Sequence, residues 1–370
     1  MSTITQQATD LARRLARAEL LDLEPYQSAR RIGGRGDIWI NANESPFNNT
    51  YLALANRYPE CQPPALMQAY ADYVGVTPQQ LVCGRGADEA IELLIRTFCV
   101  PGQDAIVTFG PTYGMYGISA ATFNVGVTEL ALDDDWQLPP AAAIDDTIQA
   151  QKLIFVCNPN NPTGSIIPLA RIRQLLEQFP DKLVIVDEAY IEFCPEQSCV
   201  PLLEEFANLV VLRTLSKAFA LAGIRCGFML AHPGIVELVM RVIAPYPVPV
   251  PVSALATQAL NREGIATMRT QVQSLNANGE QLAQAIIKAG GIAQRSAANF
   301  VLAKFADIKT VESVAERLAA SGIVARRYKH PRLQDAIRLS YTNDAETNVI
   351  IAALQAFTGQ ISSSTCVSNG

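Results

Sequence analysis

The strongest constraint on the fold is a set of short apolar runs that are not amphipathic. "DAIVTF" (104–109), "KLIFVCN" (152–158), "KLVIVDEA" (182–189) and "LVVLRTLS" (209–216) carry nearly continuous Val, Ile, Leu and Phe. A strand with one wet face alternates polar and apolar residues. A strand of a parallel sheet is buried on both faces and reads as one apolar block. Helical patterns separate these runs. "GADEAIELLIRTFC" has apolar residues at 90, 91, 94, 95 and 98 with acids in its first turn, and "RIRQLLEQF" falls between the second and third runs. This alternation predicts an α/β fold with a mainly parallel sheet.

The pattern breaks at "APYPVPVPVS", where four prolines in seven residues are expected to preclude regular helix. Helical sequence follows from "VSALATQALNRE" to "TMRTQVQSLNANGEQLAQAIIKAG". The chain then passes through "NFVLAKF", the helix "TVESVAERLAASG", "IVARRY" and "AIRLSY", an α+β pattern suited to a smaller unit. At ~150 residues per domain, 370 residues suggest two domains. The expected division is an N-terminal arm with the first part of the small domain (1–47), a large domain (48–260), a small domain (261–358) and a frayed polar tail (359–370).

Composition narrows the function. The chain is 49% hydrophobic and 17% charged with a net charge of -6, and no run of about five like charges occurs. Nucleic acid is therefore not an expected partner, because phosphate backbones need clustered Lys and Arg. The eight cysteines are scattered without CxxC spacing and only His232 and His330 are present, so no metal site is expected. No apolar run reaches the roughly eighteen residues of a membrane span, and no secretory leader is visible. "LARRLARAELLDLE" reads as an amphipathic helix; Asp10, Glu19, Asp22 and Glu24 argue against a transit peptide. A reduced cytoplasm is the expected location.

In open α/β sheets ligands sit at the carboxyl ends of the strands, so the polar residues there carry the functional reading. "CGRGADE" (83–89) places glycines before a helix N-terminus, a ready anion site, although such turns are also common without ligands. "NPNNPTG" (158–164) holds Asn161 between prolines, where its amide can be aimed; ordinary turn chemistry also favours these residue types. Asp187 directly follows Val-Ile-Val, and a carboxylate at the top of a central strand needs a partner. "TLSKAFALAGIRCG" (214–227) offers the Ser216 hydroxyl, the Lys217 amine and, eight residues later, the Arg225 guanidinium. An amine near an anion site, an Asp and an Asn suggests an aldehyde cofactor held as a Schiff base, with the acid partnering a ring nitrogen.

"NPNNPTG", "DEAY" and "SKAFALAGIRCG", in this order, resemble the fold-type I pyridoxal-phosphate aminotransferases. Within them, "PYQSARR", "NANESP", "NRYPECQP", "GADEAIELLIRTFC", "PTYGMY", "RTLSKAFALAG" and "VIAPYPVP" are similar to the histidinol-phosphate aminotransferases, and "AIRLSY" extends the likeness towards the end. The resemblance implies a large domain with a mainly parallel, seven-stranded sheet and a smaller α+β domain. It also implies pyridoxal 5'-phosphate as cofactor and a homodimer with shared active sites.

The resemblance assigns roles by position. Lys217 binds the cofactor aldehyde and moves the substrate proton. Asp187 pairs with the ring nitrogen, Asn161 and Tyr190 contact the ring oxygen, and Tyr113 stacks on the ring. Ala87 and Asp88, through their amides, hold the cofactor phosphate with Ser216 and Arg225, and Tyr58 reaches the phosphate of the neighbouring subunit. Arg338 and Arg326 hold the acidic end of the substrate with Tyr26, while Asn43 and Glu44 stand near it. The substrates implied are L-histidinol phosphate and 2-oxoglutarate, exchanged for glutamate. "LSYTND" after Arg338 departs from the expected Gly-Thr, and Cys83 stands where a serine is common. A broader aromatic or other amino-acid aminotransferase, and a decarboxylase on the same scaffold, remain alternatives. A regulatory sensor module would need a DNA-binding segment that the opening ~40 residues do not suggest.

Overall fold

The structure is a computed structural model that describes residues 3–33, 38–145, 147–148 and 151–366. Its larger sheet contains β1 (Leu81–Gly84), β2 (Ala105–Gly110), β3 (Gly126–Ala131), β4 (Leu153–Cys157), β5 (Leu183–Asp187), β6 (Leu209–Thr214) and β7 (Gly227–Ala231). The strand order is β1-β7-β6-β5-β4-β2-β3. Pairing is parallel throughout except at β7, which runs antiparallel to both β1 and β6. Every residue of β4, β5 and β6 is buried, as the unbroken apolar runs require. Each Val, Ile or Leu buried there contributes about 1.5–3 kcal/mol. β3, at the sheet edge, is largely exposed and lacks such a run.

The helices are α1 (Thr3–Leu15), α2 (Ala29–Ile32), α3 (Pro64–Val74), α4 (Ala87–Phe98), α5 (Met115–Thr122), α6 (Ala141–Asp145), α7 (Leu169–Gln178), α8 (Pro233–Val242), α9 (Val250–Ala259), α10 (Arg262–Lys288), α11 (Ile308–Ala320) and α12 (Asp344–Cys366). α4 turns Ile91, Leu94, Ile95 and Phe98 onto one face of the sheet, beside α8. α7 turns Ile172, Leu175 and Leu176 onto the other. The two apolar layers sandwich the sheet and fix its carboxyl edge, where the strand-end loops emerge.

The smaller sheet, in the order β10-β11-β9-β8, is antiparallel and contains β8 (Ile292–Ala293), β9 (Phe300–Lys304), β10 (Arg326–Arg327) and β11 (Ala336–Ser340). α10, α11 and α12 cover it, burying Ile286, Val314, Ile337 and Leu354 in a separate core. Side-chain caps start two of these helices: Asn261 accepts from Gly264 N and Asp307 from Thr310 N, each at 2.8 Å.

Three expectations need correction. α9 begins at Val250, inside the proline cluster, because Pro251 sits in its first turn, where the missing N–H costs nothing. The N-terminal helix was expected with the smaller unit. It packs instead on α8, and Leu11, Ala12 and Leu15 join the core of the larger sheet. The frayed tail was expected from residue 359, but α12 continues to Cys366; residues 367–370 lie outside the described residues.

Candidate active site

A cavity of about 560 Å3 opens where β4, β5 and β6 end. Cys157, Asp187 and Thr214, the last residues of those strands, line it together with Ala87, Asp88, Tyr113, Asn161, Tyr190, Ser216, Lys217 and Arg225. Arg326, Tyr328 and Arg338 close it from the smaller sheet. A larger cavity of about 730 Å3 lies elsewhere, around Trp136, Lys304 and Arg332, and contains none of the strand-end residues.

One end of the cavity suits a compact anion. α4 starts at Gly86, whose φ of 93° is open to glycine, and no side chain caps its first N–H groups. A Cβ on Gly227 would stand 2.5 Å from Ala87 N, so only glycine lets β7 pass this helix start. Arg225 Nη2 reaches Asp88 Oδ2 at 3.1 Å, and Tyr113 Oη donates to Asp88 Oδ1 at 2.9 Å. Thr214 Oγ1 lies 2.9 Å from Ser216 Oγ and accepts from Ser216 N. Uncapped amides, a helix dipole, a hydroxyl and a guanidinium together suit a compact anion.

The middle holds an acid and a base. Asp187 is buried, and loss of water raises its pKa to about 6 against hydrogen bonds from Tyr116 Oη (2.7 Å) and Ala189 N (3.1 Å). Lys217 attracts this carboxylate, but no ion pair to it is formed among the described residues, and it fits a protonated ring nitrogen. Lys217 Nζ lies 5.4 Å from the Tyr190 ring centroid. Burial pushes its pKa below the ordinary lysine value and Arg338 adds to this, while Asp88 and Asp187 pull it back. A lowered pKa leaves more of the amine unprotonated near neutral pH, available to attack an aldehyde or to accept a proton.

The loop after β4 is held by its other two asparagines. Asn158 exchanges hydrogen bonds with Ile167, and Asn160 donates to Pro111 O and Thr163 Oγ1, which leaves Asn161 facing the cavity. Arg338 Nη1 donates to Asn161 Oδ1, tying the smaller sheet to this loop. Arg338 and Arg326 are cross-strand partners.

Tyr26, Asn43, Glu44 and Tyr58 are not brought to this cavity. Glu44 pairs with Arg57 at 2.9 Å and accepts from Tyr58 N at 2.7 Å, while Asn43 adopts a φ of 55°. Tyr58 stacks on Tyr246 with ring centroids 4.4 Å apart, and Tyr26 is exposed. The sequence reading missed Tyr116 and Tyr328. Tyr116 falls three residues after Tyr113, a helical spacing that could have flagged it; Tyr328 carried no such signal.

The sequence profile of the family described as "Aminotransferase class I and II" matches residues 52–354. The chain is 61% identical to the histidinol-phosphate aminotransferase of Shewanella amazonensis over 93% of its own length and 95% of that protein. It is 57% identical to the histidinol-phosphate aminotransferase of Shewanella oneidensis, over 96% and 92% of the two chains. Among solved structures it is similar to histidinol-phosphate aminotransferase from Sinorhizobium meliloti in complex with pyridoxal-5'-phosphate. That likeness has a TM-score of 0.75 at 25% identity and covers 86% of this chain and 90% of the other.

Proposed function

The chain belongs to the class I and II aminotransferases, and on that premise we propose that it is a pyridoxal-phosphate enzyme of histidine biosynthesis. It transfers the amino group of L-histidinol phosphate to 2-oxoglutarate, reversibly, giving imidazole-acetol phosphate and glutamate. The observation that carries this reading is the convergence of Lys217, Asp187, Asn161 and Arg225 with Arg326 and Arg338 in one cavity, in a chain 61% identical to a histidinol-phosphate aminotransferase.

The residues present fit pyridoxal 5'-phosphate. The uncapped start of α4 with Ser216 and Arg225 suits its phosphate, and the buried Asp187 suits its ring nitrogen. When bound, the cofactor supplies a reactive aldehyde and an electron-withdrawing ring. Lys217 Nζ would provide the amine that holds the aldehyde and, once displaced by the substrate's amine, would carry the proton from the substrate carbon to the former aldehyde carbon. Asp187 keeps the ring nitrogen protonated. Asn161 and Tyr190 would hold the cofactor through its ring oxygen, and Tyr113 would pack on its ring. Arg338 and Arg326 bind the acidic end of either substrate, phosphate or carboxylate.

The active unit is read as a homodimer. Ile38, Ile40, Phe47, Tyr51 and Leu54 expose their side chains along one segment, an apolar patch that a second copy would cover. Asn43 and Glu44 lie on this segment and Tyr58 just beyond it, which fits Tyr58 reaching the cavity of the neighbouring subunit. The boundary between the two domains is placed at residues 260 and 261. A cytoplasmic location is proposed from the cysteines, none of which forms a disulfide among the described residues. No helix among the described residues is long and apolar enough to cross a membrane.

The test supplies the cofactor-loaded protein with L-histidinol phosphate and 2-oxoglutarate and measures glutamate. Formation of glutamate that Lys217→Ala abolishes supports the reading. Turnover confined to aromatic amino acids, or release of carbon dioxide from a phosphorylated amino acid, would replace it with one of the alternatives.

A further inference from the structure

Among the described residues, Tyr328 Oη and Arg338 Nε are buried polar atoms at the cavity that no partner meets in hydrogen-bond geometry. They belong to neighbouring side chains that line one wall of the cavity. Arg326 and Arg338 stand opposite each other across β10 and β11, and Tyr328 directly follows β10 and lines the same cavity. The Tyr328 ring lies between the two cations, with Arg326 Cζ 5.7 Å and Arg338 Cζ 6.0 Å from its centroid. Opposed like charges are unfavourable, and a buried hydroxyl without a partner costs free energy as well. Both penalties disappear if an anion sits between the three groups.

The shape of the trio favours one kind of anion. A carboxylate offers two oxygens in a plane, which a single guanidinium satisfies through its fork. A phosphate monoester has a third terminal oxygen outside that plane and needs another donor. Arg338 is already fixed at Nη1 by Asn161, which orients its remaining edge. A hydroxyl beside that edge is suited to the third oxygen.

We propose that Tyr328 is a specificity-determining residue whose hydroxyl donates to the third terminal oxygen of the substrate's phosphate, beside Arg338 and Arg326. The same hydroxyl contributes nothing when a carboxylate takes that place. Tyr328 thereby separates the two substrates that share one pair of arginines. This inference rests on the reading above that the amine substrate ends in a phosphate monoester.

Tyr328→Phe removes one oxygen and keeps the ring, so packing and both cation contacts remain. In the cofactor-loaded variant, KM for L-histidinol phosphate should rise roughly tenfold, the loss of one charge-assisted hydrogen bond, with kcat within about twofold. The half-reaction with L-glutamate should be unchanged, and so should the visible absorbance of the bound cofactor and the thermal midpoint. Inorganic phosphate, used as a competitor against L-glutamate, should bind the variant more weakly by a similar factor. Equal losses with both substrates, or no change with either, would overturn the proposal. If the wild type ignores L-histidinol phosphate, the proposed function fails. Phosphate competition then still decides the role of Tyr328, and equal inhibition of the wild type and the variant counts against it.

Discussion

The Tyr116 hydroxyl donates to Asp187 Oδ2 at 2.7 Å, with both side chains buried at the carboxyl end of the sheet. The bond favours the ionised carboxylate, yet desolvation outweighs it and the pKa stands at about 6. Between the unfolded value near 4 and about 6 the folded chain binds more protons than the unfolded one. Stability of the cofactor-free protein therefore falls as pH rises through that window. Asp187→Asn should remove this penalty, stabilising the cofactor-free protein at neutral pH by up to about 3 kcal/mol. The same change should lower turnover about a hundred- to a thousandfold. Urea unfolding at two pH values, with an activity assay, checks both halves. Tyr116→Phe should move the Asp187 titration higher still, as carboxyl NMR would read it.

Lys217 owes its lowered pKa first to burial and then to Arg338. Replacing Arg338 by Gln removes the second cause, so the amine should titrate closer to an ordinary lysine. The rate at which the cofactor-free protein captures a simple aldehyde, followed against pH, should shift its midpoint upward in that variant. A midpoint that stays in place would mean that the two groups do not interact.

Gly227→Ala places a Cβ 2.5 Å from Ala87 N and from the Gly86 carbonyl carbon, at the start of α4. Backbone, not a flexible side chain, must move. A stability loss of about 1–3 kcal/mol is expected. Cofactor affinity should fall more than tenfold, as for a lost charge-assisted contact. Titration of the cofactor-free variant with pyridoxal phosphate measures the second effect separately.

Behind the site, Arg213 pairs with Glu188 at 2.7 Å and with Glu192 at 3.1 Å, all three buried. Glu188 also accepts from the amide of Cys199. Glu188→Ala strands the guanidinium without its main counter-charge and should cost about 3–5 kcal/mol in chemical denaturation.

The parts of the fold that were legible in the sequence are those where burial is two-sided. β4, β5 and β6 each open with at least four consecutive apolar residues because both faces meet helices, and the polar residues at their ends could be read as a site. β3 is an edge strand with exposed residues and β1 has only four residues, so neither produced a distinctive run; β7 was missed although it is as long and as buried as β4 and β5. Asp187 ends β5, and Asn161, Lys217 and Arg225 lie in the loops that follow β4 and β6, so their positions followed from the strands. Tyr328 reaches the cavity only because β10 pairs with β11 in a particular register, which no local pattern encodes. The placement of α1 on α8 is likewise a long-range packing choice, invisible in a helix whose amphipathic face would suit either unit.

The antiparallel β7 has a consequence for how such a protein can change. β6 and β7 pair from Val210↔Ala231 to Thr214↔Gly227, and Leu215 N bonds to Cys226 O just beyond. The segment bearing Ser216, Lys217 and Arg225 is thus a cassette with both ends clamped in one hairpin. Side chains between the clamps can be exchanged without altering the frame, whereas a slip of β7 by one residue would misplace the arginine and the glycine that shelters α4 together. Variation here is therefore confined to what the cassette carries, and its hinges are closed to it.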